Sequence, residues 1–243
     1  MLIVSLAAVV VSGINVFRLS REYQKGINEY QQLESYASVK EEAPVQEEST
    51  EAEETEEESL IPVSVDIQYD ELKRINEDFA GWLYYEPLDI SYPIVRGNDN
   101  DYYTHYTFEG EKNSSGAIFM DFLNKTDYSD YNTIIYGHNM KNGMMFGELD
   151  AYQKADYLTS HPYVYIIMAD GSLNKYRVLA CEHVSVESAV YDLPCDTKQK
   201  IKALRAQLAQ SSGYAAGEAA AADAADGALQ GAAQGSEAKL LTL

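Results

Sequence analysis

The sequence has few cysteines and few basic residues, and each shortage excludes a class of protein. Two cysteines, Cys181 and Cys195, occur in 243 residues, too few for a disulfide framework. We expect one buried thiol and one loop thiol rather than a bridge. The 18 Lys and Arg residues are outnumbered by 39 Asp and Glu. Nucleic-acid binding depends on clustered Lys and Arg, so nucleic acid is excluded as a partner.

Histidine is also scarce. Of the four histidines, no two have the i, i+4 or short-loop spacing of a zinc site. We therefore expect no metal ion and no other cofactor. His105, His161 and His183 lie among tyrosines or in strand-like segments, where a structural role is the more common one.

The amino-terminal segment is apolar and then becomes polar. Residues 2–17 carry no charge, although a spanning helix usually needs about 20 such residues. A signal-peptide core is the alternative, but no persuasive cleavage site follows. We interpret residues 1–25 as a signal anchor and predict a single-pass protein of the cell membrane with its domain outside. Basic residues follow the run, which alone favours the opposite orientation; we therefore expect further basic residues upstream.

A spacer separates this segment from the folded domain. Residues 41–59 contain ten Glu and no basic residue, and such a run repels itself and has nothing apolar to bury. We assign residues 26–64 to a polar, Glu-rich extracellular spacer and residues 65–243 to one domain. Residues 211–238 are dominated by Ala and Gly, which indicates a low-complexity insert.

The domain begins with a helical pattern and continues with strand patterns. Leu72, Ile75, Phe79 and Trp82 recur at three- and four-residue steps, which predicts an amphipathic helix with Asp70 as a plausible cap. Short β-type runs follow, which predicts an all-β barrel or sandwich; they are residues 82–85, 90–95, 116–122, 132–137, 163–169 and 174–186. Residues 196–210 return to a helical pattern, with Asp196 or Thr197 as its cap and Ile201, Leu204 and Leu208 facing inward.

One segment carries a candidate catalytic residue. Residues 132–146 read NTIIYGHNMKNGMMF, so an apolar strand leads through a glycine to His138 and a polar loop. A side chain placed where a rigid strand meets a loop is a common catalytic arrangement. Taken alone, a single histidine more often has a structural role, so this pattern by itself favours a structural role for His138.

Three blocks in this order resemble the sortases, and class B in particular: ISYPIVRGNDNDYYTHYTFEG, SSGAIFMDF and NTIIYGHNMKNGMMFGEL. The resemblance covers about residues 65–210 and the last few residues, and it implies a mainly β, closed sortase-type barrel. That barrel has an amino-terminal amphipathic helix and, before the penultimate strands, a second helix, which residues 196–210 match.

The resemblance also implies a chemistry. Sortases use a Cys, a His and an Arg to cleave a sorting signal near the carboxyl terminus of a secreted protein. The thiolate forms a thioester, which an amine of a peptidoglycan precursor or a pilin resolves. On this basis His138 is the general acid and base, and Tyr136 and Asn100 help to line the substrate groove. Core packing for Tyr136 and a turn role for Asn100 are the alternatives.

The sortase nucleophile follows a strand of the type TLxTC. The present sequence reads KLLTL at residues 239–243, so we expect the nucleophile and the arginine beyond Leu243, with the last strands missing from this chain and the chain inactive as it stands. Cys181 and Cys195 occupy the wrong places to substitute. The alternatives are a non-catalytic sortase-like surface domain that binds sorting-signal peptides, and an adhesive β-domain on an acidic stalk.

Overall fold

The computed structural model describes residues 2–41, 63–168, 170–178, 181, 183–194, 197–211 and 240–243. Most of the Glu-rich run, Cys195, Asp196 and nearly all of the Ala/Gly-rich insert therefore lie outside the described residues.

Five α-helices, nine strands and three short 3₁₀ helices (Glu86–Leu88, Leu149–Gln153 and Ala189–Tyr191) are described in this part of the chain. The helices are α1 (Leu2–Glu34), α2 (Tyr69–Ile75), α3 (Tyr102–His105), α4 (Ala155–Ser160) and α5 (Lys198–Ser211). The strands are β1 (Ala37–Glu41), β2 (Val63–Ile67), β3 (Phe79–Tyr85), β4 (Ile90–Val95), β5 (Ile118–Met120), β6 (Asn132–Tyr136), β7 (Tyr163–Met168), β8 (Leu173–Arg177) and β9 (Leu240–Thr242).

Seven strands form one sheet in the order β8-β7-β3-β4-β5-β6-β9, and β1 and β2 form a separate antiparallel pair. Within the sheet, β4–β5 and β6–β9 are parallel and the other pairs are antiparallel. Over the described residues the edge strands β8 and β9 do not pair with each other. The sheet is a curled half-barrel; the mainly β prediction is confirmed, and full closure is not observed.

The hydrophobic core lies against this sheet and extends to α1. Trp82, Leu83 and Ile118 from the strands are fully buried, and so is Leu33 from α1. A smaller second cluster is formed by Val190 together with Ile201 and Leu204 of α5. Most strand runs predicted from the sequence are present, although the run at 174–186 ends as a strand at Arg177.

The helix predicted to run from Leu72 to Trp82 is shorter than expected. It ends at Ile75, since Asn76 is extended (φ −141°, ψ 115°). Phe79 and Trp82 lie instead in β3, where they pair with β4 and β7. Asp70 lies within the helix and does not cap it. In contrast, the Lys200 amide donates to Thr197 Oγ1 at 3.3 Å, as predicted for the start of α5.

Within the portion of the chain that the structure describes, no helix has both the length and the apolar character needed to cross a membrane. The prediction of a single-pass membrane protein is therefore wrong. The apolar run at residues 2–17 is shorter than the about 20 residues that a spanning helix requires, and the same helix continues through Arg18 and Arg21 to residues that pack on the sheet.

Candidate active site

The carboxyl end of β6 delivers Tyr136 and His138 to one rim of the sheet. Gly137 separates them, and a Cβ atom at this position would lie 2.5 Å from Ile118 Cδ1 and 2.8 Å from Phe146 Cδ2. Real Cβ atoms do not approach other heavy atoms so closely, because such overlap is strongly repulsive. Any side chain at this position would therefore force Ile118 and Phe146 to shift, so glycine suits the passage from strand to loop.

The imidazole of His138 is held by a backbone carbonyl. Its Nε2 lies 2.8 Å from the carbonyl oxygen of Thr104 in α3. A carbonyl oxygen can only accept, so Nε2 carries a proton in this arrangement, and Nδ1 is the ring nitrogen left to exchange a proton. The contact joins residues that are 34 positions apart, and it determines which ring nitrogen can act as a base.

The loop after His138 folds back on the strand end. The Phe146 amide donates to the His138 carbonyl oxygen at 3.0 Å, and the Met145 amide donates to Tyr92 Oη at 3.1 Å. Met145 has φ +54°, a left-handed conformation that costs a non-glycine residue energy. These contacts connect the His138 backbone to β4.

Tyr136 and Asn100 converge on a third residue, Asp121. Tyr136 Oη donates to Asp121 Oδ2 at 2.9 Å, and Asn100 Nδ2 donates to the same oxygen at 2.7 Å. Asp121 is buried at the end of β5. Sequence reasoning missed Asp121, although a carboxylate directly after the apolar strand IFM is a signal that could have identified it.

The Tyr136 hydroxyl stays protonated. Burial raises its pKa above the ordinary value of a tyrosine, and the hydrogen bond to Asp121 and the charge of that residue raise the pKa further. A phenolate facing a carboxylate would bring two negative charges together, so the neutral form is favoured. Tyr136 is therefore a donor to Asp121 over the physiological pH range.

The structure describes Cys181 but not Cys195. Cys181 is half-buried, and its thiol donates to the Leu149 carbonyl oxygen at 3.6 Å. It packs against the main core. Cys181 therefore has the surroundings of a core thiol.

The strand β9 lies beside the strand that delivers His138. It runs parallel to β6, with Asn132 opposite Leu240 and Ile134 opposite Thr242. His138 lies four positions after Ile134, so polypeptide that prolonged β9 in this register would approach the same rim as His138. The arrangement combines an oriented imidazole, two polar side chains on a common carboxylate and a parallel neighbouring strand that points to the same rim.

Two curated proteins that this chain resembles are both named sortase B. Sortase B of Listeria monocytogenes is 47% identical over 92 residues, which are 38% of this chain and 37% of that protein. Sortase B of Staphylococcus aureus is 35% identical over 111 residues, or 46% of this chain and 44% of that protein. The matched segments thus span less than half of either curated relative. No family model matches the chain.

Solved structures show the same relationship over a longer range. The structure of sortase B from Listeria monocytogenes has a TM-score of 0.55 at 32% sequence identity, and the match covers 60% of this chain and 83% of that chain. Sequence similarity and fold similarity therefore both relate this chain to sortase B proteins.

Proposed function

This chain belongs to the class B sortase family, and on that basis we propose that the protein its gene encodes is a cysteine transpeptidase, although the residues of this chain do not supply the nucleophile. Its substrates are secreted proteins with a carboxyl-terminal sorting signal, and its acceptor is an amine of a peptidoglycan precursor or a pilin. The single observation that carries the proposal is the oriented imidazole of His138 at the rim that β6 and β9 share.

The proposed reaction has two acyl-transfer steps. In the first, a thiolate attacks the scissile carbonyl carbon, a C–S bond forms, the peptide C–N bond breaks and the imidazolium gives its proton to the leaving amine. In the second, the acceptor amine attacks the thioester, a C–N bond forms, the thiolate leaves and the imidazole takes the proton. His138 acts as the acid and then as the base.

We place the nucleophilic cysteine and the arginine beyond Leu243. The register of β6 and β9 supports this placement, because a cysteine that prolongs β9 by a few residues would lie alongside His138. The arginine would stabilise the developing oxyanion. Asn100 and Tyr136 are proposed to contact the sorting signal, and both present polar groups held by one buried carboxylate.

The test uses the protein as its gene encodes it, through the authentic stop codon. The protein is incubated with peptides taken from the carboxyl-terminal sorting signals encoded in the same genome, together with hydroxylamine as acceptor. We expect one peptide group to be cleaved and released as the hydroxamate. Because general acid–base catalysis contributes about 100- to 10,000-fold, His138→Ala should lower kcat by at least about 100-fold.

A matched control is His105→Ala. His105 is exposed and lies near Asp101, so its removal should leave kcat within about twofold. Binding of a peptide without any cleavage would favour the non-catalytic, peptide-binding alternative. Turnover that persists in His138→Ala would contradict the assignment of His138.

A further inference from the structure

Asp121 is a buried carboxylate whose two oxygens both accept hydrogen bonds. Its Oδ2 accepts from Asn100 Nδ2 at 2.7 Å and from Tyr136 Oη at 2.9 Å. Its Oδ1 accepts from the Leu123 amide at 2.9 Å, and its own amide donates to the Ile134 carbonyl oxygen at 2.9 Å. The residue is thus bound to β6 through its backbone and through its side chain.

We propose that Asp121 is a positioning residue that sets which atoms of Asn100 and Tyr136 face a bound peptide. The inference rests on the proposed function, since it assigns a role to Asp121 within the same groove. Asp121 touches no substrate in this scheme and acts through its two neighbours.

The chemistry of the partners determines how Asn100 is oriented. A carboxylate oxygen only accepts, so the group that faces Asp121 must be the amide nitrogen of Asn100. On its other side, Asn100 Oδ1 accepts from the Phe122 amide at 3.0 Å. A reversed side chain would place an acceptor against a carboxylate and a donor against an N–H group. Among the described residues, only Asp121 accepts from the Asn100 amide group, so its second N–H can donate to a ligand.

The same reasoning applies to Tyr136. Its hydroxyl proton is committed to Asp121, so its oxygen presents lone pairs and acts as an acceptor. The rim thus offers one donor and one acceptor of fixed identity. A peptide unit has a complementary pair, a C=O acceptor and an N–H donor, so the arrangement suits the backbone of an extended peptide.

The backbone of Phe122, just after β5, is held at both its amide and its carbonyl group. Arg96 Nη2 donates to the Phe122 carbonyl oxygen at 2.5 Å, while Asn100 accepts from the Phe122 amide. Because the side chain of Phe122 is itself exposed, these contacts hold the backbone rather than bury the residue. Asn100 therefore cannot turn without breaking contacts to both Asp121 and Phe122.

The experiment compares Asp121→Asn with Asp130→Asn. Asp130 is a matched control because it also accepts from an asparagine side chain, Asn124 Nδ2 at 3.1 Å, and from a backbone amide, that of Lys125 at 2.7 Å. It lies before β6 rather than at the rim. A role in folding alone predicts the same behaviour for both variants.

The first arm needs no ligand and uses NMR of the Asn100 side-chain amide. We expect Asp121→Asn to accelerate exchange of these protons with solvent by at least about tenfold, and Asp130→Asn to leave it unchanged. The second arm measures Kd for the sorting-signal peptide that binds the unaltered protein most tightly. We expect Asp121→Asn to raise Kd by about tenfold or more, and Asp130→Asn to change it less than twofold.

Tyr136→Phe removes one hydroxyl and serves if Asp121→Asn does not fold. Tyr136→Phe should raise Kd at least about threefold. If Asp121→Asn does fold, the effects of the two changes on Kd should be less than additive in the double variant, as for groups that act through one another. Unchanged exchange, or an unchanged Kd for a bound peptide, would overturn the proposal. If no peptide binds the unaltered protein, the proposed function fails, and the NMR arm alone decides whether Asp121 orients Asn100.

Discussion

At the scale of single residues, the candidate site depends on close packing around Gly137 and on the backbone carbonyl oxygen of Thr104. Gly137, directly before His138, lies against Ile118 and Phe146 with no room for an added side chain unless these neighbours shift. Thr104 contributes only its carbonyl oxygen, so a pattern of side-chain types does not reveal it. The geometry of the imidazole therefore rests on a missing side chain and on a backbone atom.

Replacement of Gly137 by alanine should destabilise the protein. The added methyl group would overlap Ile118 and the Phe146 ring, and overpacking of this kind costs about 1–3 kcal/mol. Thermal and urea unfolding would measure the loss. Gly13→Ala is the control, because nothing lies within 4 Å of a Cβ at that position and alanine is the better helix former. Equal stability of Gly137→Ala and the unaltered protein would contradict this packing.

At the scale of elements, α1 supports the segment that holds His138. Tyr30 Oη donates to the Gly116 carbonyl oxygen at 2.8 Å and accepts from the Phe108 amide at 3.3 Å. The Asn113 side chain donates to the Glu22 carbonyl oxygen at 2.9 Å. The segment that includes these residues directly follows α3, the source of the Thr104 carbonyl. The second half of α1 is thus part of the domain core rather than a separate extension.

Removal of the Tyr30 hydroxyl should weaken this contact. Tyr30→Phe leaves two buried backbone groups without their partner, and each unsatisfied group costs about 1–3 kcal/mol. We expect a lower free energy of unfolding in a urea titration. Tyr102→Phe is the control, because this side chain is 44% exposed, and surface changes usually stay within about 0.5 kcal/mol. Equal losses in both variants would argue against the role of Tyr30.

The contact between α1 and the segment that follows α3 should also respond to pH through Glu29. Burial raises the pKa of this carboxyl group above its ordinary value, the neighbouring charges of Glu109 and Glu111 raise it further, and hydrogen bonds from the Glu109 amide and Thr107 lower it in part. The folded protein therefore binds this proton more tightly than the unfolded chain does, so Glu29 favours folding at low pH. That contribution is lost as pH rises from 4.5 through the raised pKa.

Glu29→Gln should for this reason be more stable than the unaltered protein at pH 7, and the difference should vanish below pH 4.5. The glutamine side chain retains an oxygen that can accept the hydrogen bond that the Glu109 backbone amide donates to Glu29 Oε1 at 3.0 Å. Urea titrations at a series of pH values would measure the difference. A difference that is constant with pH would show that charge is not its cause.

At the scale of the whole molecule, the described residues form one large core and one small cluster. The main core joins the sheet to Tyr30 and Leu33 of α1. The small cluster includes Val190, whose carbonyl oxygen accepts from Asn132 Nδ2 at 2.9 Å. This contact ties the small cluster to the start of β6. A cavity in the main core should destabilise the whole sheet, whereas a cavity in the small cluster should destabilise mainly α5.

Two cavity-forming variants should separate these parts. Leu83→Ala removes a fully buried side chain from the main core and should cost about 2–5 kcal/mol. Ile201→Ala lies in the small cluster and should mainly open α5 locally. Hydrogen exchange read by mass spectrometry would show faster exchange across β3 and β7 for the first variant, and within α5 for the second. Faster exchange across the sheet in Ile201→Ala would contradict this division.

The sequence by itself determined the local elements and the family. Short apolar β-type runs predicted β4, β6, β7 and the mainly β class. A helical spacing of apolar residues predicted the inward face of α5. Both patterns depend on local geometry over a few residues. The blocks around His138 also identified the family, which the comparisons bear out. The catalytic role of His138 stays a prediction.

Only the tertiary structure decided the features that depend on distant residues. The pattern from Leu72 to Trp82 suits one helix, yet pairing with β4 and β7 makes Phe79 and Trp82 part of a strand. Asp121 is 21 residues from Asn100 and 15 from Tyr136, so its role arises only when β5 and β6 lie side by side. Apolar composition suggested a membrane segment in α1, whereas the folded chain uses the later turns of this helix to pack against the sheet. In each case the deciding energy comes from burial and hydrogen bonds between residues that are far apart along the chain.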